Sequence, residues 1–257
     1  MEKKRFPYLN FLPLLLIVLL LSTMAGYLRP LKAMPEAIEK WKNTDQIKVE
    51  GGNYGVFRPA NSAPAIGFIF YPGAKVQILA YAPLLSDLAA EGFFCALVPM
   101  PLNLAILGRD KADAVIKEHP EIKTWIIGGH SMGGAMAASY AKNHPNIAGL
   151  VLLASYLPKS DNLSNQNIRV LSVYGTLDGL ATMDKVEASK KLLPPATRFT
   201  AIEGGNHAQF GWYGDQPGDH KAEISRQDQQ KAVSYTPGDF LSTFYPSENE
   251  NTNQQGE

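Results

Sequence analysis

The stretch TWIIGGHSMGGAMAASYA, residues 124–141, decides the fold. Its first four residues form a short apolar run rich in β-branched and aromatic side chains, as a strand buried on both faces requires. Its second half, from Met132 to Asn143, is an Ala- and Gly-rich helical run. Between them lies Gly129-His130-Ser131-Met132-Gly133, so the chain passes from strand to helix with no loop. Gly133, Gly134, Ala135, Ala137 and Ala138 are small enough for the helix to start tight against a sheet. A strand feeding straight into a helix is the joint of a parallel βαβ unit.

The neighbouring sequence repeats that alternation in both directions. Upstream, residues 65–71 (AIGFIFY) read as a strand ended by Pro72-Gly73. Tyr81, Leu84, Leu85 and Leu88 then fall at helical spacing, with a stop at Gly92. Residues 93–98 are the next strand, and residues 104–118 a helix with Leu107, Val115 and Ile116 facing inward. Downstream, residues 148–153, 170–174 and 198–202 read as strands. Residues 184–192 and 222–233 read as helices, with an extension past Pro237 left open. Near-continuous apolar strands between helices mean parallel pairing with both sheet faces covered. The expectation is one doubly wound, mostly parallel α/β domain over residues 47–245.

The N-terminus is different in character. Residues 8–28 carry no charge, and residues 14–21 are all Leu, Ile or Val. About 20 apolar residues suffice to cross the hydrocarbon core. Lys3, Lys4 and Arg5 precede the run, in a basic flank of residues 1–7, against Arg29 and Lys32 after it. That asymmetry orients the N-terminus to the cytoplasm and the domain outside. An uncleaved transmembrane anchor is expected, with a cleaved signal peptide as its rival. Residues 29–46 read as a juxtamembrane spacer with a short helix over residues 32–43, and residues 246–257 as a polar, disordered tail.

Composition narrows the function. The 257 residues carry 24 Lys+Arg against 24 Asp+Glu and are 45% hydrophobic. This balance offers no basic surface for nucleic acid. Cys95 is the only cysteine, which excludes an internal disulfide or a cysteine-rich zinc site. Five histidines leave a His/carboxylate metal site open, but no tight spacing signals one and none is expected.

The pentad around Ser131 has the form G-x-S-x-G, and its place between strand and helix is that of a nucleophile turn. A serine hydroxyl needs a base, and the base an orienting acid. Asp178, in Gly175-Thr176-Leu177-Asp178-Gly179 beyond a strand, is the acid candidate, with Asp184 the alternative. His207, in Gly204-Gly205-Asn206-His207 beyond the next strand, is the base candidate, with His220 behind it. The oxyanion of a tetrahedral intermediate needs two N–H donors. Met132 at the helix N-terminus supplies one, and the loop after residue 71 the other, from Ala74 first and Gly73 second. Tyr156, Leu157, Leu180, Phe210, Trp212 and Tyr213 are candidates for lining a substrate pocket.

With these residues in view, the sequence resembles the α/β-hydrolase superfamily. More narrowly it is similar to the small bacterial branch termed alpha/beta hydrolase family five, relatives of dienelactone-hydrolase-like esterases. The resemblance rests on FYPGAKV (70–76), GGHSMGGAMAASYA (128–141), GLVLLASY (149–156), YGTLDGLAT (174–182) and GGNHAQFGWYGDQPGD (204–219). It implies a triad of Ser131, Asp178 and His207 and cofactor-free hydrolysis of a carboxylic ester or related acyl bond. Dienelactone hydrolases proper have cysteine where this chain has Ser131. Only about a dozen residues separate the strand ending near Ala154 from the next, so no large cap domain is expected there. Peptidase, thioesterase and acyltransferase chemistry would use the same groups. A membrane-tethered binding protein with a vestigial triad is the reading from a different class.

Overall fold

The strand through Ile127 sits at the centre of the molecule because its neighbours on both sides are equally apolar. In the computed structural model, which describes residues 12–27 and 29–246, it is β5 (Thr124–His130). The sheet also contains β1 (Ile47–Glu50), β2 (Gly55–Pro59), β3 (Ile66–Tyr71), β4 (Phe94–Leu97), β6 (Ile147–Leu153), β7 (Arg169–Gly175) and β8 (Arg198–Ile202). The eight strands lie in the order β1-β2-β4-β3-β5-β6-β7-β8. β1 pairs antiparallel with β2, and β2 with β4. All the other pairs are parallel, as the continuous apolar runs require.

Alternation within β3 divides the core. Phe68 and Phe70 point to one face, where they pack with residues of α3 (Ala82–Ala90) and α7 (Arg226–Ser242). Ile69 and Tyr71 point to the other, with α4 (Ala112–Glu118) and α5 (Met132–Asn143). The sheet is therefore covered on both faces, and α6 (Met183–Lys190) connects β7 to β8. Residues 154–168, between β6 and β7, contain neither helix nor strand. No cap domain is inserted there.

Two helices depart from their sequence expectation. Residues 104–118 are not one helix. Ala105–Leu107 and Arg109–Lys111 are separate 3₁₀ turns, and α-helix begins only at Ala112. Gly108 interrupts the run, and Leu107 is 53% exposed rather than inward. The last helix starts later than expected, at Arg226 with Ser225 as its N-cap accepting from Asp228 N–H, and continues through Pro237 to Ser242. Pro237 removes one helical N–H. The helix holds because Val233, Phe240 and Leu241 are buried against the sheet.

Residues 1–30 form a separate unit. Its described helix is α1 (Leu12–Tyr27), 16 residues long. Leu14 to Leu20 are each more than half exposed. Sixteen residues rise about 24 Å, short of the ~30 Å hydrocarbon core. Among the described residues no helix is long and apolar enough to cross a membrane. The expected span covers residues 8–28, of which 8–11 and 28 lie outside the described residues, as do the basic flank and most of the polar tail. In the other unit, only Pro35–Ile38 of the expected 32–43 helix is helical, as α2.

Candidate active site

The turn at Ser131 is held in a strained backbone conformation. Its φ is 54° and ψ is −123°, a region that costs a non-glycine residue about 1–3 kcal/mol. The surroundings over-determine it. Ser131 N–H donates to Leu153 O at 2.9 Å, while Ser131 O accepts from Ser155 Oγ at 2.8 Å and from Ala135 N–H at 3.2 Å. The flanking glycines are obligatory. A Cβ on Gly133 would overlap the Tyr71 and Pro72 carbonyls, and one on Gly129 would lie 2.5 Å from the Tyr71 oxygen.

Asp178 and His207 meet across two adjacent strand-end loops. His207 Nδ1 lies 2.8 Å from Asp178 Oδ2, and both side chains are fully enclosed. The other oxygen, Asp178 Oδ1, accepts from Leu180 N–H at 2.8 Å and Ala181 N–H at 2.7 Å. The carboxylate is therefore fixed and faces Nδ1. His207 Nε2 is buried and has no hydrogen-bond partner among the described residues. His207 and Ser131 line the same pocket, a cleft of about 420 Å³. Asp184 lies instead in the first turn of α6, and His220 is exposed on a different part of the loop.

The expected oxyanion donors separate. Met132 is the first residue of α5, where helical N–H groups have no intrahelical acceptor. Ala74 N–H makes no backbone hydrogen bond among the described residues. Both residues line the Ser131 pocket. Gly73 N–H, by contrast, donates to Tyr81 Oη at 3.0 Å. Tyr81 Oη in turn lies 2.8 Å from His130 Nδ1. Burial pushes the Tyr81 phenol far up, so it stays protonated while sharing a hydrogen bond with that nitrogen. Burial first, and the neighbouring His207 second, push His130 well below the ordinary imidazole value, so its ring is neutral.

The candidate pocket residues also divide. Tyr156 and Leu180 line the cleft with Ala74, Met132, Met136 and Pro158. Leu157 is buried among the α5-side core residues instead. Phe210 and Tyr213 are buried on the opposite face, with Phe210 stacked against His130 at 5.9 Å between centroids. Trp212 does not line the cleft; its backbone N–H donates to Ala80 O and its carbonyl accepts from Met34 N–H. Phe210 and Tyr213 pack against His130 rather than lining the cleft.

Several residues that hold the site had no signal in the sequence. Asp219 accepts four backbone N–H groups. Oδ1 takes those of Gly179 at 3.0 Å, His207 at 3.2 Å and His220 at 2.9 Å, and Oδ2 that of Ala208 at 2.8 Å. It thus ties the loop of Asp178 to the loop of His207. Gln229 on α7, fully buried, accepts from Asn206 N–H and donates to Asn206 O at 3.0 and 2.7 Å. Only a helix at β-sheet contact distance from the histidine loop makes such a glutamine informative. Among the described residues no cluster of His, Cys, Asp or Glu could hold a metal ion.

The profile of the alpha/beta hydrolase family matches residues 67–231, more than half of the chain. A search of curated proteins finds no match. Among solved structures, the chain is similar to a proposed dienelactone hydrolase from Klebsiella pneumoniae subsp. pneumoniae MGH 78578. The two are 18% identical with a TM-score of 0.54, over 74% of this chain and 97% of the other. Because 838 chains of solved structures match, this likeness establishes the fold and leaves the substrate to be argued from the site.

Proposed function

The chain belongs to the alpha/beta hydrolase family, and on that premise we propose that it is a serine hydrolase cleaving a carboxylic ester or related acyl bond. The observation that carries this reading is the 2.8 Å contact of His207 Nδ1 with Asp178, which leaves Nε2 buried and unpartnered in the pocket that Ser131 lines. With Nδ1–H donated to the carboxylate, the lone pair of Nε2 is available for a proton.

In the proposed cycle Ser131 Oγ attacks the carbonyl carbon and its proton passes to His207 Nε2. The carbonyl oxygen becomes an oxyanion, held by the N–H groups of Met132 and Ala74. The tetrahedral intermediate collapses, the C–O bond to the alcohol breaks, and His207 returns the proton to the departing oxygen. Water then loses a proton to His207 and attacks the acyl-enzyme. Collapse of the second intermediate returns that proton to Ser131 and releases the acid. Asp178 holds the imidazole in one tautomer and stabilises its cationic form throughout.

A fluorophosphonate probe on the intact protein tests this directly. A covalent adduct on Ser131, lost in Ser131→Ala and in heat-unfolded protein, is expected. Esterase turnover persisting in Ser131→Ala would remove the mechanism, and absence of any adduct would favour a tethered binding protein. Panels of peptide, thioester and ester substrates with competing acceptors separate the related acyl-transfer chemistries.

We also propose that residues 8–28 anchor the chain as a single pass, with the hydrolase domain outside the cytoplasm. Its support is the uncharged run itself, the exposure of Leu14 to Leu20, and the basic flank of Lys3, Lys4 and Arg5. Protection of the domain from protease added to spheroplasts would overturn that orientation.

A further inference from the structure

Beyond the cleft at Ser131, the same wall of α5 continues into a second hollow. Met136 and Pro158 line both spaces, so the two adjoin. The second hollow, about 900 Å³, continues with Ser139 on the helix and with Ile106 and Leu107 opposite. Ile106 and Leu107, adjacent in the chain, are 59% and 53% exposed and give the hollow an apolar rim. Their loop is pinned to the oxyanion loop, because Lys75 N–H, next to Ala74, donates to Asn103 O at 2.7 Å.

Resting on the serine hydrolase reading above, we propose that this hollow holds the acyl chain of the substrate, and that the enzyme prefers an unbranched apolar acyl group of medium length. The orientation follows from proton transfer. His207 must reach the leaving oxygen, so the alcohol lies on the His207 side, where Leu180 and Ala181 follow Asp178 in the chain. The acyl group then extends the other way, along Met132, Met136 and Ser139, which share one face of α5. From Ser131 to Ser139 the helix rises about 12 Å, room for about eight carbons. Methionine suits such a wall because its flexible thioether adapts to a chain of varying shape. The remaining lining, with Arg109 paired to Asp110 and with Lys111 and Asp161, is charged and does not favour further methylenes. Preference should therefore peak rather than rise without limit.

The experiment is the chain-length profile of 4-nitrophenyl esters from acetyl to hexadecanoyl, below their aggregation limits. In the wild-type protein kcat/KM should rise about two- to four-fold per added methylene, peak near octanoyl, and fall for longer chains. Ile106→Asp should lower the octanoyl-to-acetyl ratio at least about ten-fold, and Met136→Trp, which blocks the passage, should move the optimum to shorter chains. A flat wild-type profile, or variants that keep its shape, would overturn the acyl assignment. If Ser131 still takes the fluorophosphonate in that case, the hydrolase reading survives and only this inference falls. Loss of labelling as well would remove both.

Discussion

The ring of His130 lies against the ring of His207, with centroids 4.5 Å apart and planes inclined by 47°. His130 immediately precedes Ser131 and contacts Tyr81, which holds Gly73. One buried, neutral imidazole thus touches the proposed base, adjoins the proposed nucleophile and reaches the oxyanion loop. A second positive charge beside His207 would oppose protonation of that base, so keeping His130 neutral serves the proposed chemistry.

Neutrality of His130 makes a stability prediction. Burial holds its folded pKa well below the ordinary value, while in the unfolded chain it titrates near about 6.5. Above that pH both states are neutral and the full stability is present. Below it the unfolded state takes up a proton that the folded state refuses, so stability falls by up to about 1.4 kcal/mol per pH unit. Urea unfolding of wild type and His130→Asn between pH 7.5 and 5 should show the steeper acid decline in the wild type. Parallel curves would mean that His130 takes up its proton equally in the folded and unfolded states, so that burial does not hold it neutral.

The backbone at Ser131 should be a store of strain. At φ 54° and ψ −123° a Cβ is disfavoured and glycine is not. Ser131→Gly should therefore be inactive yet more stable than Ser131→Ala by about 1 kcal/mol, the relief of strain partly offset by glycine's greater unfolded-state entropy. Equal melting temperatures for the two variants would show the turn to be relaxed.

Asp219 offers a different test, because it touches backbone only. Asn at this position keeps one acceptor oxygen and turns an NH₂ toward N–H donors. Some of its four bonds must break, at a cost of about 1–3 kcal/mol in stability. Since His207 N–H is among the four, the imidazole should lose its alignment. An ester substrate should then show kcat lowered about 10- to 100-fold with KM within two-fold. A variant with reduced stability but unchanged kcat would show that Asp219 only braces the loops.

The parts of this molecule that could be read from sequence are those whose cause is local. The strand–turn–helix joint at Ser131 follows from apolar residues meeting glycines, and α5 occurs over Met132–Asn143 as its composition demands. β8 spans Arg198–Ile202, again with boundaries set by its own residues. The helix over residues 104–118 failed because Gly108 and an exposed Leu107 weaken a run whose apolar spacing alone looked adequate. Asp219 and Gln229 were invisible for another reason. Each looks like an ordinary polar loop or helix residue until the fold brings backbone N–H groups of distant loops against it. The aromatics Phe210 and Tyr213 misled in the same way: near His207 in sequence, they turn beneath it into the core.

Tyr81 provides the sharpest test of whether that hidden framework matters to turnover. Its hydroxyl accepts from Gly73 N–H and shares a hydrogen bond with His130 Nδ1, and it is buried with no solvent to replace it. Tyr81→Phe keeps the ring and its packing on Phe70 but leaves Gly73 N–H and His130 Nδ1 unsatisfied. Stability should drop by about 1–3 kcal/mol for each orphaned group, less where the loop shifts to reach water. Such a shift would move Ala74, the next residue after Gly73, and with it one of the two proposed oxyanion donors. The transition state would then lose stabilisation that the bound substrate never had, so kcat should fall about ten-fold or more at nearly constant KM. If KM rose while kcat held, the bond would govern substrate entry, and the assignment of Ala74 to the oxyanion would have to be withdrawn.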